Sequence, residues 1–248
     1  MSRSGAPTPP SSRSRTAKPP RSADATTRLR LIEAAGPVFA RRGFADTTVR
    51  EIVAEAKANV AAVNYHFGGK LGLYRTVLEH YSQTAMAAHP VTPPSAAVEE
   101  PAKRLAFFVA AFLERLFHDG KPAWMSQIIS REMVEPTEAF QHLAEKHMRP
   151  QLETLRGIVS ELMGLPTSDV RVQRSAASVI AQCVTYKQCG AAHCILTPSQ
   201  TYDAQGRAEL AAHITAFSLA GIAALTQAEP RRAVKSKGAK GTTRRGHV

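Results

Sequence analysis

Between Gly43 and Gly69 the chain is punctuated too often to be one long helix, and it lacks the β-branched alternation of strands. Thr47 and Thr48 offer side-chain oxygens to the orphan N–H groups of a following helix, and Glu51, three residues after Thr48, makes a capping box. Asn59 can cap a further helix from Val60 to about Phe67, which the Gly68-Gly69 pair stops before Lys70 opens another. Helices this short and this closely spaced must turn on one another. The stretch is therefore confined to a small, compact helical unit.

The remainder of the chain reads the same way. Leu29, Ile32, Ala35 or Gly36, and Phe39 give residues 24–42 a single apolar face ending at Gly43, with Pro37 expected to kink or loosen the helix. The clustered prolines of "HPVTPPSAAVEEP", residues 89–101, read as a connector. Longer helices are expected near 99–118, 122–134, 137–164 with a kink or break at Pro150, 168–190 and 205–227. The expected class is all-α. Residues 24–88 form a first domain and 99–228 a second, flanked by tails over 1–23 and 229–248.

Charge separates the tails from the body. The formal net charge is +12, yet residues 1–23 carry five basic residues and no acid, and residues 230–248 carry seven and no acid. The segment 24–229 holds all 20 acidic residues and an equal number of basic ones, so it is formally neutral. Both tails are rich in Ser, Pro, Gly, Lys and Arg, a composition that cannot repay the entropy of ordering, and disorder is expected there. They can serve as solvated ends or as a non-specific attraction for phosphate.

Several classes are disfavoured. The first residues contain no apolar run of signal-peptide length, and "LAFFVAAFL", Leu105–Leu113, is short of a membrane span, so a cytoplasmic chain with no membrane partner is expected. Cys183, Cys189 and Cys194 have no CxxC spacing and are expected reduced and mostly buried. His142 and His147 sit roughly 140° apart on a helix, so no metal site is expected. Cys194 beside His193 is badly aimed for nucleophilic catalysis, and no Gly-x-Ser-x-Gly or phosphate-cradling glycine loop occurs. Neither an enzyme nor a cofactor is implied.

Two short helices joined by a tight turn, the second starting at Asn59, describe a helix-turn-helix whose second helix enters the DNA major groove. Val60, Val63 and Phe67 would pack inward, leaving Ala61, Ala62, Asn64 and Tyr65 on other faces. Asn64 can pair with adenine, and an alanine methyl can meet a thymine methyl. Thr47, Thr48, Tyr65, His66 and Lys70 lie at helix ends or rims, where they would hold phosphates. The same spacing also fits a plain Ala-rich helical hairpin.

The stretch "TTVREIVAEAKANVAAVNYHFGGKLGLYRTVL" resembles the DNA-binding domain of the TetR/AcrR family of bacterial transcriptional regulators, over about Thr26–Tyr81, with "NYHFGGK" its most specific part. The resemblance implies phosphate contacts at Tyr65, His66 and Lys70, backbone contacts at Thr47 and Thr48, and a groove-facing segment over Asn59–Asn64. Lys57 replaces the usual turn glycine, and Leu71 replaces the acid that usually follows the lysine. Further on, "QIISREMVEPTEAFQHLAEKHMRPQLETL" resembles the ligand-binding domain of the CecR-like branch, whose pattern includes Glu132 and Pro136.

That second likeness implies a homodimer through the last two helices and a small-molecule effector pocket among the central ones. Pocket candidates are Phe107, Phe108, Phe112, Trp124, Met125, Ile128 and Met133, with Gln127, Ser130, Arg131 and Glu132 as polar companions; each is equally readable as core or surface. The expected function is a regulator that represses from a palindromic double-stranded DNA operator until an effector releases it. The alternatives are a DNA-coating protein working through its tails and a helical module that binds no DNA.

Overall fold

The computed structural model describes residues 21–92, 99–117 and 122–227. The expected tails, apart from the start of the first helix, and the middle of the 89–101 connector lie outside the described residues. Among those described, every regular element is helical. The chain divides into two compact units, Met1–Ala88 with His118–Arg149, and His89–Phe117 with Pro150–Val248.

The first unit opens with α1 (Arg21–Asp46), which runs through Pro37 and is broken at Gly43, where φ is 81°. Only a residue without Cβ takes that conformation cheaply, so the glycine ends the regular helix as its position in the sequence suggests. Its buried face is Leu31, Ile32, Ala35, Val38 and Phe39, whereas Leu29, expected inward, is exposed. Three helices follow: α2 (Val49–Glu55), α3 (Val60–Phe67) and α4 (Lys70–Ala88). No acid stands in the first turn of α4, as Leu71 implies.

Two more helices complete this unit, α6 (Ala123–Glu132) and α7 (Glu138–Leu143), where the sequence reading placed them in a C-terminal domain starting at 99. The apolar pattern tells that a helix has a face to bury, and not what covers it. Met125, Ile128, Ala139, Phe140 and Leu143 join the same core as Ile32, Phe39, Leu73 and Val77. A Cβ on Gly36 would stand 2.2 Å from the Trp124 ring, so that glycine is what allows α1 and α6 to approach.

The second unit contains α5 (Pro101–Phe117), α8 (Arg149–Met163), α9 (Val170–Gln188), α10 (Gly190–Leu196) and α11 (Ala204–Gln227). A π-helical turn over Ala144–Met148 precedes α8, at the break anticipated around Pro150. Phe108, Val109, Leu113, Leu155, Val159, Val179, Cys183 and Ile214 form the core. Only Cys183 of the three cysteines is buried; Cys189 and Cys194 are exposed, against expectation. Arg115, buried beneath the surface of this unit, donates to the His89 carbonyl and to Gln151. Arg207 of α11 pairs with Glu114 of α5 at 2.8 Å.

Candidate nucleic-acid interface

The start of α2 is fixed by Thr48. Its hydroxyl accepts from the Glu51 N–H at 3.3 Å, and the Glu51 carboxylate accepts from the Thr48 N–H at 3.0 Å and its O–H at 2.9 Å. These donors, led by the Thr48 backbone, hold the Glu51 carboxyl below the usual carboxylate range. At the far end of α2 the chain reverses through Lys57, the one non-glycine described residue with positive φ, 49°. The Lys57 and Ala58 N–H groups donate to the carbonyls of Ala54 and Val53 at 3.3 and 2.9 Å, closing the helix end. The turn that the family builds with glycine is thus built here with lysine, at a cost of roughly 1 kcal/mol.

Asn59 caps α3, its Oδ1 accepting from the Ala61 N–H at 3.0 Å. Val63 is fully buried, and Ala62 and Phe67 pack partly against the core. The opposite side is open: Tyr65 is 67% and Val60 41% exposed, with Ala61 and Asn64 also exposed. At 3.6 residues per turn, Val60, Asn64, Ala61 and Tyr65 occupy one arc of roughly 140°. Val60 therefore belongs to the open face, contrary to the inward position its spacing suggested. Ala62, assigned to that face from sequence, instead borders the core.

Three other residues expected at phosphates are turned to the protein. Thr47 is buried, and its hydroxyl donates to the Gly43 carbonyl at 2.6 Å. Lys70 directs its ammonium at the carbonyls of Phe44, Ala45 and Thr47, at 2.9, 3.1 and 2.9 Å, which occupies its three donors. The side chain of His66 is 8% exposed and its Nε2 lies 3.5 Å from Asp24 Oδ1. All three build the frame of α1, α2 and α3. Conversely, Arg50 in the first turn of α2 is exposed beside Thr48, a position that spacing alone did not single out.

Behind this frame, Glu132 is buried at the end of α6 and accepts from Tyr74 Oη at 2.6 Å and from the Thr137 N–H at 2.7 Å and O–H at 3.0 Å. Burial, then this hydrogen bond to an anionic acceptor, pushes the Tyr74 hydroxyl pKa well up. The neighbouring Arg131 reaches the Phe39 and Ala40 carbonyls at 3.4 Å. Consecutive residues of α6 thus hold α4 and α1.

The expected effector residues are divided between the two units. Phe108 and Phe112 stack at 5.8 Å in the second unit, while Met125 and Ile128 are core residues of the first, and Trp124 sits edge-on to Tyr81 at 4.8 Å. Met133 is 49% exposed. Phe108, Met125 and Ile128 are buried in the cores, the plainer of the two readings open to them. A cleft of about 140 Å³ in the second unit is lined instead by residues including Arg104, Glu153, Thr154, Ile158 and Glu161. Among the described residues no group of three or more His, Cys, Asp or Glu could hold a metal.

A capped helix, a tight turn and a second capped helix with one open face define a helix-turn-helix DNA-binding protein. The model of the bacterial regulatory proteins of the tetR family matches residues 31–77, and that of the C-terminal domain of HTH-type transcriptional dual regulator CecR matches residues 101–222. The chain belongs to the TetR family of transcriptional regulators, and it is not an enzyme.

Among its relatives, the dual regulator CecR of Shigella flexneri is 26% identical over 169 residues, 63% of this chain and 74% of that one. The transcriptional repressor SCO4008 of Streptomyces coelicolor is 29% identical over 143 residues, 56% of this chain and 71% of that one. A TetR-like regulator from Rhodococcus sp. RHA1 shares the fold with a TM-score of 0.57 at 17% identity, covering 82% of this chain and 100% of that chain.

Proposed function

We propose that this regulator is a cytoplasmic repressor that reads a palindromic operator as a homodimer, with the open face of α3 in the major groove. The observation that carries the reading is Asn64. It is exposed within the arc shared with Val60, Ala61 and Tyr65, with no acid on α3 to repel DNA. An amide there can make the paired hydrogen bonds that distinguish adenine, and the small neighbours let the helix approach the base edges. Arg50, Lys57 and Tyr65 are the exposed rim groups suited to phosphates, with Thr48 and Asn59 fixing the starts of the two helices.

The second unit supplies the partner surface. Among the described residues one helix, α11, is long and apolar enough to cross a membrane by length and composition, yet one side of it packs on α5 and α9 and Arg207 pairs with Glu114. Phe217 and Leu225 remain 64% and 45% exposed on it. A second copy covering that side through α9 and α11 accounts for them and supplies the two-fold symmetry that a palindrome needs. Effector release, carried here by the family resemblance, requires a small molecule that binds the DNA-incompetent state better than the competent one.

Selection from random duplex DNA by the purified full chain at physiological salt tests the reading. Enrichment of an inverted repeat whose half-site centres are spaced for two α3 helices is the expected result. Binding without enrichment would transfer the activity to the basic tails.

A further inference from the structure

We propose that the cleft between α5 and α8 of the second unit binds a small carboxylic acid, and that such an acid is the effector. Binding follows from the geometry of this unit alone; its consequence at the operator rests on the effector-released repressor proposed above.

The cleft has a volume of about 140 Å³, with Arg104 of α5 on one side, Thr154, Gly157, Ile158 and Glu161 of α8 on the other, and Val91 from the segment after α4. The four α8 residues stand at i, i+3, i+4 and i+7, so a single stripe of that helix lines it. Gly157, in the interior of α8, sits where a residue without Cβ weakens a helix. A Cβ on Gly36 would stand 2.2 Å from Trp124, and one on Gly206 would stand 2.3 Å from the Thr201 carbonyl oxygen, so those helical glycines make room for a neighbour. A Cβ on Gly157 would meet no described atom within 4 Å. What its missing side chain leaves is the open space of the cleft. A cavity of roughly 150 Å³ holds one benzene ring, which sets the size of the occupant.

The chemistry of the occupant follows from Arg104. Its side chain is 16% exposed, and its Nη2 donates to the carboxylate of Glu161, whose side chain is 53% exposed. Its Nε is buried and has no hydrogen-bond partner among the described residues. A guanidinium offers Nε and Nη2 along one edge, which a carboxylate takes with both oxygens. Glu161 uses only half of that edge. A ligand carboxylate that takes both donors satisfies the buried Nε and lets Glu161, at the open rim, turn to water. The other acid of the cleft, Glu153, is held by Arg156 at 2.7 Å. Val91 and Ile158, both buried, give the body of the ligand an apolar wall. The class that fits is one carboxylate on an apolar body of about one ring.

The test titrates the full chain, without DNA, with benzoate and with benzamide, its uncharged counterpart, and reads binding by calorimetry. Benzoate is expected to saturate and to bind at least about tenfold more tightly than benzamide. Arg104→Met should lose that preference. Gly157→Leu should lose both ligands, while its unfolding midpoint stays at or above that of wild type, because the new side chain enters open space and replaces a helical glycine. Benzoate that does not saturate wild type, or that binds both variants as it binds wild type, would overturn the site. In a second arm, benzoate should weaken binding of the selected operator by wild type and leave that of Gly157→Leu unchanged. Cleft-dependent binding of benzoate with unaltered operator affinity would overturn the effector role. A wild-type chain that selects no operator would instead remove the repressor reading, and the calorimetric result would still decide the site.

Discussion

In the first unit, the polar side chains around the reading helix have named partners: Thr47 on Gly43, Lys70 on three carbonyls, Thr48 with Glu51, and Glu132 with Tyr74 and Thr137. What stays open on the reading helix is one arc with Asn64 and Tyr65. In the second unit the interior is aliphatic and aromatic, and what stays open is the apolar flank of α11, with Phe217 and Leu225. Directional bonds fix angles, so the first unit can present an amide to a base edge. Apolar burial fixes volume and leaves a surface that another apolar surface can cover. Both units are built on an apolar core; they differ in the polar side chains that fix the reading helix of the first and in the apolar flank that the second leaves open.

The largest expected effect is in the second unit. Phe108 is fully buried, and Phe108→Ala should cost about 3–5 kcal/mol through lost apolar burial and the cavity left behind. Cys183, buried in the same core with its thiol pKa pushed up to about 12, serves as the internal reporter. In the wild-type chain a thiol reagent at neutral pH should modify Cys189 and Cys194 and spare Cys183. In the variant Cys183 should react at a rate set by opening of the unit. Equal protection in both chains would show that this core is not what holds the unit.

Next comes Glu132→Ala, which leaves the buried hydroxyl of Tyr74 and the Thr137 N–H without their acceptor. A loss of about 2–4 kcal/mol is expected in chemical denaturation. Glu132→Gln, which keeps an acceptor oxygen, should fall between the alanine variant and wild type. If Glu132→Ala unfolds as wild type does, the bonds to Tyr74 and Thr137 do not stabilise the first unit.

Lys70→Met sharpens the same contrast on the reading side, removing three charged hydrogen bonds for about 1.5–3 kcal/mol of stability. Because the ammonium is turned to carbonyls, the salt dependence of operator binding should keep its slope. A slope reduced by about 0.9 would place Lys70 on a phosphate instead. The smallest effect concerns Glu51, whose carboxyl pKa is lowered by the Thr48 N–H and hydroxyl. A depressed folded pKa gives stabilisation that is present above the ordinary carboxylate value and lost as pH falls through the folded one. Acid unfolding of Glu51→Gln should accordingly show a weaker pH dependence than wild type in that range.

Helix positions were legible because their ends carry local chemistry. Thr48 and Asn59 cap where spacing placed them, Gly43 breaks α1, and Lys57 takes the left-handed turn that its place in the family pattern implied. The short α10 escaped notice because it has seven residues and no side-chain cap. Side-chain direction was less legible. Thr47, His66 and Lys70 have the chemistry of phosphate ligands, but which way each points depends on carbonyls and a carboxylate that only the fold brings near. The pocket candidates are ambiguous for a related reason: bulk and flexibility suit a cavity lining and a core equally, and Trp124 sits over Gly36.

The assignment of α3 depends most on Asn64, and the direct measurement is competition binding of wild type and Asn64→Ala to the selected operator and to each of its single-base variants. The variant is expected to fold as wild type and to lose about 1–3 kcal/mol of discrimination at one base pair in each half-site, leaving the other positions unchanged. Undiminished discrimination at every position would contradict the placement of this face of α3 against the bases.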